Sequence, residues 1–194
     1  MKLLIPLSIV AFVIGISLGI YFIGSNNTGK QYQTGIPGNG DFILHDGKQK
    51  IQLSDYKGKA VFIFFGYTLC PDICPTSLAF MSGALKNLAE EELKKVQVLF
   101  ISVDPERDTP EKLRSYTEYF HHKIRGISGT KEEIDKVVAQ YGASYKMVKS
   151  DSAMGYLVDH TASFYVVDTK GKLVNLLPHG LPVKQITEVI RDLI

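Results

Sequence analysis

The sequence predicts an α/β fold in which a buried strand runs directly into a pair of cysteines and then into a helix. Three observations carry this prediction. The run Val61-Phe62-Ile63-Phe64-Phe65 is continuously apolar, as expected of a strand covered on both faces. Cys70 and Cys74 follow it, and they are the only cysteines in the 194 residues. A second apolar run, Val96 to Val103, again precedes a helix-patterned stretch.

From the N-terminus, Leu3 to Ile23 contains no charged residue over 21 positions. At the helical rise this spans about 31 Å, the thickness of a bilayer core. The segment 1–24 therefore reads as a single transmembrane signal anchor. Lys2 holds its start on the cytoplasmic side, and the rest of the chain lies outside the cytoplasm at the cell membrane. A cleaved signal peptide is the competing reading, but no A-x-A-like site follows. Residues 25–40, rich in Gly, Asn, Gln and Thr, read as a flexible tether. Residues 41–194 form the folded domain.

That domain opens with an N-terminal hairpin. Asp41-Phe42-Ile43-Leu44 and Ile51-Gln52-Leu53 flank the turn residues Asp46-Gly47-Lys48. Ala60 to Phe65 is the central strand. A helix opens at Pro75 and runs to Leu93, with Leu78, Met81, Leu85 and Leu88 on one face. In Asp104-Pro105-Glu106-Arg107-Asp108-Thr109-Pro110, Thr109 is an N-cap and Pro110 opens a helix to Phe120. Ile127 lies in a short strand. Thr130 and Glu133 form a capping box for a helix to Tyr141. Ala162 to Val167 and Leu173 to Leu177 make a hairpin around Thr169-Lys170-Gly171-Lys172, and Val183 to Ile194 is a closing helix. This element order is that of a thioredoxin-like fold with additions. The formal net charge of +2 and the absence of a basic block give no case for nucleic acid.

The cysteine spacing is C-x-x-x-C. On a helical turn an i,i+4 pair points both sulfurs to one side. Pro75 at the first helical position would put Cys74 at the cap, where the helix terminus favours thiolate. Two such sulfurs can hold one metal ion or oxidise to a redox-active disulfide. A structural staple is the plainer reading. Closing so short a loop contributes only about 2 kcal/mol, and a domain of this size does not depend on it.

A dithiolate needs a further ligand to hold a metal. His45, His121, His122 and His179 read as surface or locally bonded residues, the pair at 121–122 suiting the C-terminal end of a helix as imidazolium. His160 differs. It stands in the loop before the strand Ser163 to Val167, which in thioredoxin-like folds packs against the dithiol helix. There the sequence reads Asp159-His160-Thr161-Ala162-Ser163, with no proline. Two thiolates and one imidazole suit Cu(I), Cu(II) or Zn(II), and spacing does not choose among them.

Gly66-Tyr67-Thr68 leading into Cys70-Pro71-Asp72-Ile73-Cys74-Pro75, the Asp104-to-Pro110 block, Asp159-His160-Thr161 and Asp55-Tyr56-Lys57-Gly58-Lys59 together resemble the Sco/SenC family. These are membrane-anchored, thioredoxin-fold copper proteins, and the resemblance covers about residues 36–194. It implies that Cys70, Cys74 and His160 ligate copper, as Cu(I), Cu(II) or both. It implies a partner in subunit II of cytochrome c oxidase, whose binuclear copper centre the family helps to assemble. Leu69 stands where many relatives carry a histidine that is not a ligand. Three roles follow from the resemblance. The first is copper delivery, and the second is reduction of a partner's cysteines by the Cys70/Cys74 pair. The third is copper or redox sensing, with other copper or thiol-redox proteins as further partners.

Overall fold

The computed structural model describes residues 40–151 and 155–194. The expected anchor over 1–24 and the tether up to 39 lie outside the described residues. Among the described residues no helix is long and apolar enough to cross a membrane.

The expected hairpin forms from β1 (Ile43–His45) and β2 (Lys50–Gln52), followed by one 3-10 turn at Leu53–Tyr56. The chain then enters β3 (Ala60–Gly66), every residue of which is buried. Next come α1 (Ile73–Lys86), the short α2 (Glu90–Lys94) and β4 (Val96–Ser102). They are followed by α3 (Pro110–Phe120), β5 (Ile124–Ile127) and α4 (Lys131–Gln140). A second hairpin, β6 (Tyr145–Lys149) and β7 (Tyr156–His160), precedes β8 (Phe164–Val167), β9 (Leu173–Leu177) and α5 (Val183–Leu193).

The central sheet has the order β5-β4-β3-β8-β9. β3 is parallel to β4 and antiparallel to β8, so it has no free edge and reads as an unbroken apolar run. Side chains alternate across it. Phe64 stacks with Phe100 and packs at a tilt against Phe164 on the face that carries α1 and α3. Phe65 meets Tyr141 and Tyr165 on the other face, where Phe42 from the β1 region also packs. Each such phenylalanine removed from water stabilises the fold by roughly 1.5–3 kcal/mol. On α1, Gly83 lets α5 approach so closely that a Cβ there would stand 3.1 Å from Val183 Cγ2. Thr109 and Thr130 cap α3 and α4 as read from the sequence, accepting from the N–H groups of Lys112 and Glu133.

Three local expectations change. The cysteine helix begins at Ile73, with Asp72 as N-cap, so Cys74 lies inside the first turn and Pro75 is third. Cys70 precedes the helix, and the two cysteines are not a helical i,i+4 pair. The predicted run to Leu93 is two helices, because Glu92 reaches back to the Ala89 N–H (2.7 Å) and starts α2 afresh. The hairpin β6–β7 was not expected, and His160 is the last residue of β7 rather than part of a loop.

Candidate metal centre

The parallel pairing of β3 with β4 ends at Gly66, and the chain turns sharply so that the Cys70 N–H donates to the Tyr67 carbonyl (3.3 Å). The first turn of α1 then folds back over the strand end. A Cβ on Gly66 would stand 2.7 Å from Cys74 Sγ and 2.8 Å from Phe100 Cε2. Glycine is needed here for close contact, and the space its missing side chain leaves is the seat of the Cys74 sulfur. Cys74 is 0% exposed, while Cys70 is half-buried at the rim. Both are free thiols, and the Cys74 N–H points at Cys70 Sγ (3.4 Å).

His160 arrives from the hairpin on the opposite side. Its Nε2 lies 3.2 Å from Cys74 Sγ and 4.0 Å from Cys70 Sγ. Its Nδ1 sits 3.1 Å from the Thr161 carbonyl, which can only accept. That contact assigns the proton to Nδ1 and turns the Nε2 lone pair toward the sulfurs. Phe64 and Tyr67 meet the imidazole edge-on and wall it on two sides. The three donor atoms lie within 4.8 Å of one another, and no other such cluster of His, Cys, Asp or Glu occurs among the described residues.

The two thiols differ in proton affinity. The hydrogen bond from Cys74, helped by the contact with His160 and by the backbone N–H groups of Cys74 and Asp72, holds the Cys70 thiol well below its usual range despite partial burial. Burial, and then the hydrogen bond and charge of Cys70, push Cys74 far up. Without metal the pair is thus one thiolate at the rim and one thiol beneath it. The Cys74 S–H has both the Cys70 sulfur and His160 Nε2 within reach.

The loop after β4 joins the two halves. Asp108, 2% exposed, accepts from the Thr68 N–H (3.0 Å), the Thr68 hydroxyl and the Ser102 hydroxyl (2.7 Å), which fixes the turn leading to Cys70. Burial raises the Asp108 carboxyl, and these donors oppose the rise. Asp104 accepts from Arg107 and from the Tyr156 hydroxyl (2.7 Å) at the start of β7. Burial and the Asp104 carboxylate push that phenol up to about 12. The Arg107 guanidinium lies 3.5 Å from the Tyr156 ring centroid and donates to the Tyr156 carbonyl (2.9 Å). The Val158 N–H donates to the Tyr67 hydroxyl (3.2 Å).

Cys70, Cys74 and His160 are thus brought together as the sequence reading required. The other histidines are elsewhere. His45 is held through its backbone by Ser128, His179 pairs with the Ser77 hydroxyl (2.8 Å), and His121 accepts from the Lys123 N–H. The imidazolium expected at His121 is disfavoured, because burial and the neighbouring His122 and Lys86 lower its proton affinity. Gly66, Tyr156 and the clamping roles of Asp104, Arg107 and Asp108 were not read from the sequence. The Asp104-to-Pro110 block was the available signal, since two buried acids after a strand need partners. A cleft of about 350 Å³ opens beside the site, lined by Tyr67, Cys70, Ile73, Leu157 and His160. A larger polar cleft, about 520 Å³, lies by Arg114 and Arg125 and contains none of the three donors.

The SCO1/SenC family model matches residues 30–194. The "Protein SCO2 homolog, mitochondrial" of Bos taurus is 36% identical over 156 residues, covering 79% of this chain. The chain spans 59% of that relative's length. Among solved structures, "ScoI with copper bound" from Bradyrhizobium japonicum is 35% identical with a TM-score of 0.74, covering 81% of this chain and 99% of that one. "Yeast Sco1 with Copper Bound" is 31% identical with a TM-score of 0.70, covering 79% and 87%.

Proposed function

The chain belongs to the SCO1/SenC family, and on that premise we propose that it binds copper through Cys70, Cys74 and His160 and passes it on in the assembly of cytochrome c oxidase. The observation that carries the reading is the convergence of two sulfurs and one imidazole nitrogen within 4.8 Å. Soft thiolates with one imidazole are a donor set for copper, and the copper-bound relatives favour it over zinc. Copper is the cargo. The buried Cys74 and the walled His160 hold it, while the half-buried Cys70 stands at the cleft where a recipient's ligands can enter. The recipient is the binuclear copper centre of subunit II. Residues 1–24 anchor the chain in the cell membrane and 25–40 tether the domain 41–194 on the extracytoplasmic side. The uncharged run Leu3 to Ile23 supports this arrangement.

The test is metal analysis with thiol counting on the purified full chain. One copper per chain is expected, with sulfur-to-copper charge-transfer absorption in the Cu(II) form. Cys70→Ala and Cys74→Ala should each lose tight binding. Stoichiometric, tight copper in both variants would overturn the assignment.

A second reading rests on the split between the thiols. Cys70 as a rim thiolate can attack a partner disulfide, expelling one partner thiolate and forming a mixed disulfide. Cys74, losing its proton, then displaces the second partner thiolate and closes the Cys70–Cys74 disulfide. The partner gains two electrons and the chain loses two. A His160 variant that no longer binds copper but still supports oxidase assembly would favour this reading.

A further inference from the structure

Four of the five residues of β6 are exposed, whereas no residue of β5 or β9, the outer strands of the central sheet, is. Among the described residues β6 pairs only with β7. The ladder between them fixes which backbone groups look outward. The Ser150 N–H donates to the Gly155 carbonyl (3.2 Å) at one end of the hairpin, and the Thr161 N–H to the Ser144 carbonyl (3.0 Å) at the other. In the observed register this makes Lys146–Asp159 and Val148–Leu157 the hydrogen-bonded pairs. The N–H and C=O groups of Tyr145, Met147 and Lys149 therefore point away from β7. On β7 the matching outward groups are served: the Val158 N–H donates to the Tyr67 hydroxyl (3.2 Å), and the Tyr156 carbonyl accepts from Arg107 (2.9 Å). On β6 the outward backbone groups have no such partner among the described residues. Two of the five exposed large apolar side chains among those residues, Met147 and Val148, also stand on this strand. Its charged residues are Lys146 and Lys149, and neither forms an ion pair there.

We propose that β6 is a docking edge, to which an extended, acidic segment of a partner protein adds as a third strand. Its backbone would pair with Tyr145, Met147 and Lys149, and its carboxylates would lie beside Lys146 and Lys149. The two lysines select the occupant. Acidic residues opposite them stabilise the added strand, like charges there destabilise it, and lysines on an open edge oppose pairing of the strand with copies of itself. A two-stranded sheet is marginal by itself, and a third strand stiffens it. Because β7 ends at His160, a docked partner steadies the imidazole side of the metal centre. Strand addition does not itself need the metal, so its failure would leave the copper reading standing.

The test is residue-resolved hydrogen exchange and peptide titration on the purified full chain. Without peptide, the amides of Met147 and Lys149 should exchange fast and those of Lys146 and Val148 slowly. Slow exchange at Met147 and Lys149 would overturn the proposal, by showing that residues 1–39 or a second copy already cover the edge. A short, end-capped peptide of alternating Glu and Val should then shift the Tyr145, Met147 and Lys149 amide resonances and slow their exchange. The same peptide with Lys in place of Glu should bind about tenfold more weakly. No response to the acidic peptide, or an equal response to both, would overturn the proposal. Met147→Pro removes an N–H that the hairpin does not use, at a position where an edge strand tolerates proline. It should abolish peptide binding and leave copper affinity unchanged, and undiminished peptide binding would place the contact elsewhere. Lys146→Glu combined with Lys149→Glu leaves the backbone edge intact and should reverse the preference toward the basic peptide. An unchanged preference in that variant would overturn the choice of an acidic partner even if the proline variant fails to fold.

Discussion

Cys74 lies against Gly66 at the end of a seven-residue strand paired on both sides, whereas His160 closes a five-residue strand whose sheet has only two members. The first ligand is placed by the core: the Phe64 and Phe100 rings, the β3–β4 pairing and the packing of α1 all fix the sulfur at once. The second is placed by a few polar contacts, from Arg107 and Asp104 to Tyr156, from Val158 to Tyr67, and from His160 to Thr161. Close-packed cores have few alternative arrangements, while a hairpin held by several hydrogen bonds can detach locally at lower cost. One half of the centre is therefore rigid and the other adjustable, which suits a site that must both hold a metal and give it up.

The largest expected effect comes from attacking the rigid half. Gly66→Ala puts a methyl group 2.7 Å from Cys74 Sγ and 2.8 Å from Phe100, both in packed surroundings. Overpacking of this kind costs about 1–3 kcal/mol. The denaturation midpoint should fall and copper affinity with it, because the sulfur has nowhere else to sit. A variant with parental stability and parental affinity would show that the Cys74 seat is softer than its packing implies.

Attacking the adjustable half should separate stability from binding. Arg107→Ala removes the stack on Tyr156, the bond to its carbonyl and the partner of Asp104. The Asp104 carboxylate would then be buried with less compensation. The β6–β7 hairpin should loosen, and hydrogen exchange over residues 156–160 should accelerate while exchange in β3 and β4 stays slow. Copper should remain on the two sulfurs but lose its imidazole, weakening affinity and altering the Cu(II) spectrum, the same outcome expected of His160→Ala. Tyr156→Phe keeps the ring stack and loses only the bond to Asp104, so its effect should be smaller than that of Arg107→Ala. Equal slowing or acceleration of exchange in both halves would dissolve the distinction between them.

The same division explains what could be read from the residues alone. β3 and β4 are legible because strands buried on both faces need apolar side chains at every position. The helices α3 and α4 are legible because Thr109 and Thr130 carry their caps locally. The β6–β7 hairpin is not, because four of the five β6 residues are exposed and Arg107, Asp104 and Tyr67 supply its support from far away in sequence. The start of α1 was misplaced by two residues because Pro75 suits the third helical position as well as the first. Cys70, Cys74 and His160 were legible through spacing and motif. The role of Gly66 was not, since its φ is ordinary and only the fold shows the sulfur above it.

The smallest expected effect lies outside both halves and serves as their control. Asp46, in the turn of the β1–β2 hairpin, pairs with Arg125 on β5 and also accepts from the N–H groups of Lys48 and Gln49. Partial burial works against its ionisation, but the Arg125 hydrogen bond and those N–H groups prevail and hold the carboxyl at about 2, against an ordinary 3.8. The folded state therefore binds this proton less readily than the unfolded chain does. The resulting stability is fully present above about pH 4 and is lost as pH falls through the folded value near 2. A partly solvated pair of this kind contributes about 0.2–1 kcal/mol. Asp46→Asn should lower the denaturation midpoint slightly at pH 6, and the gap between variant and parent should shrink as the pH is taken from 4 toward 2. Copper affinity at pH 7 should be unchanged, because neither the Cys74 seat nor the Arg107 clamp touches this pair. A variant that weakened copper binding as much as Arg107→Ala would show that the hairpin's looseness is a property of the whole domain rather than of its own few contacts.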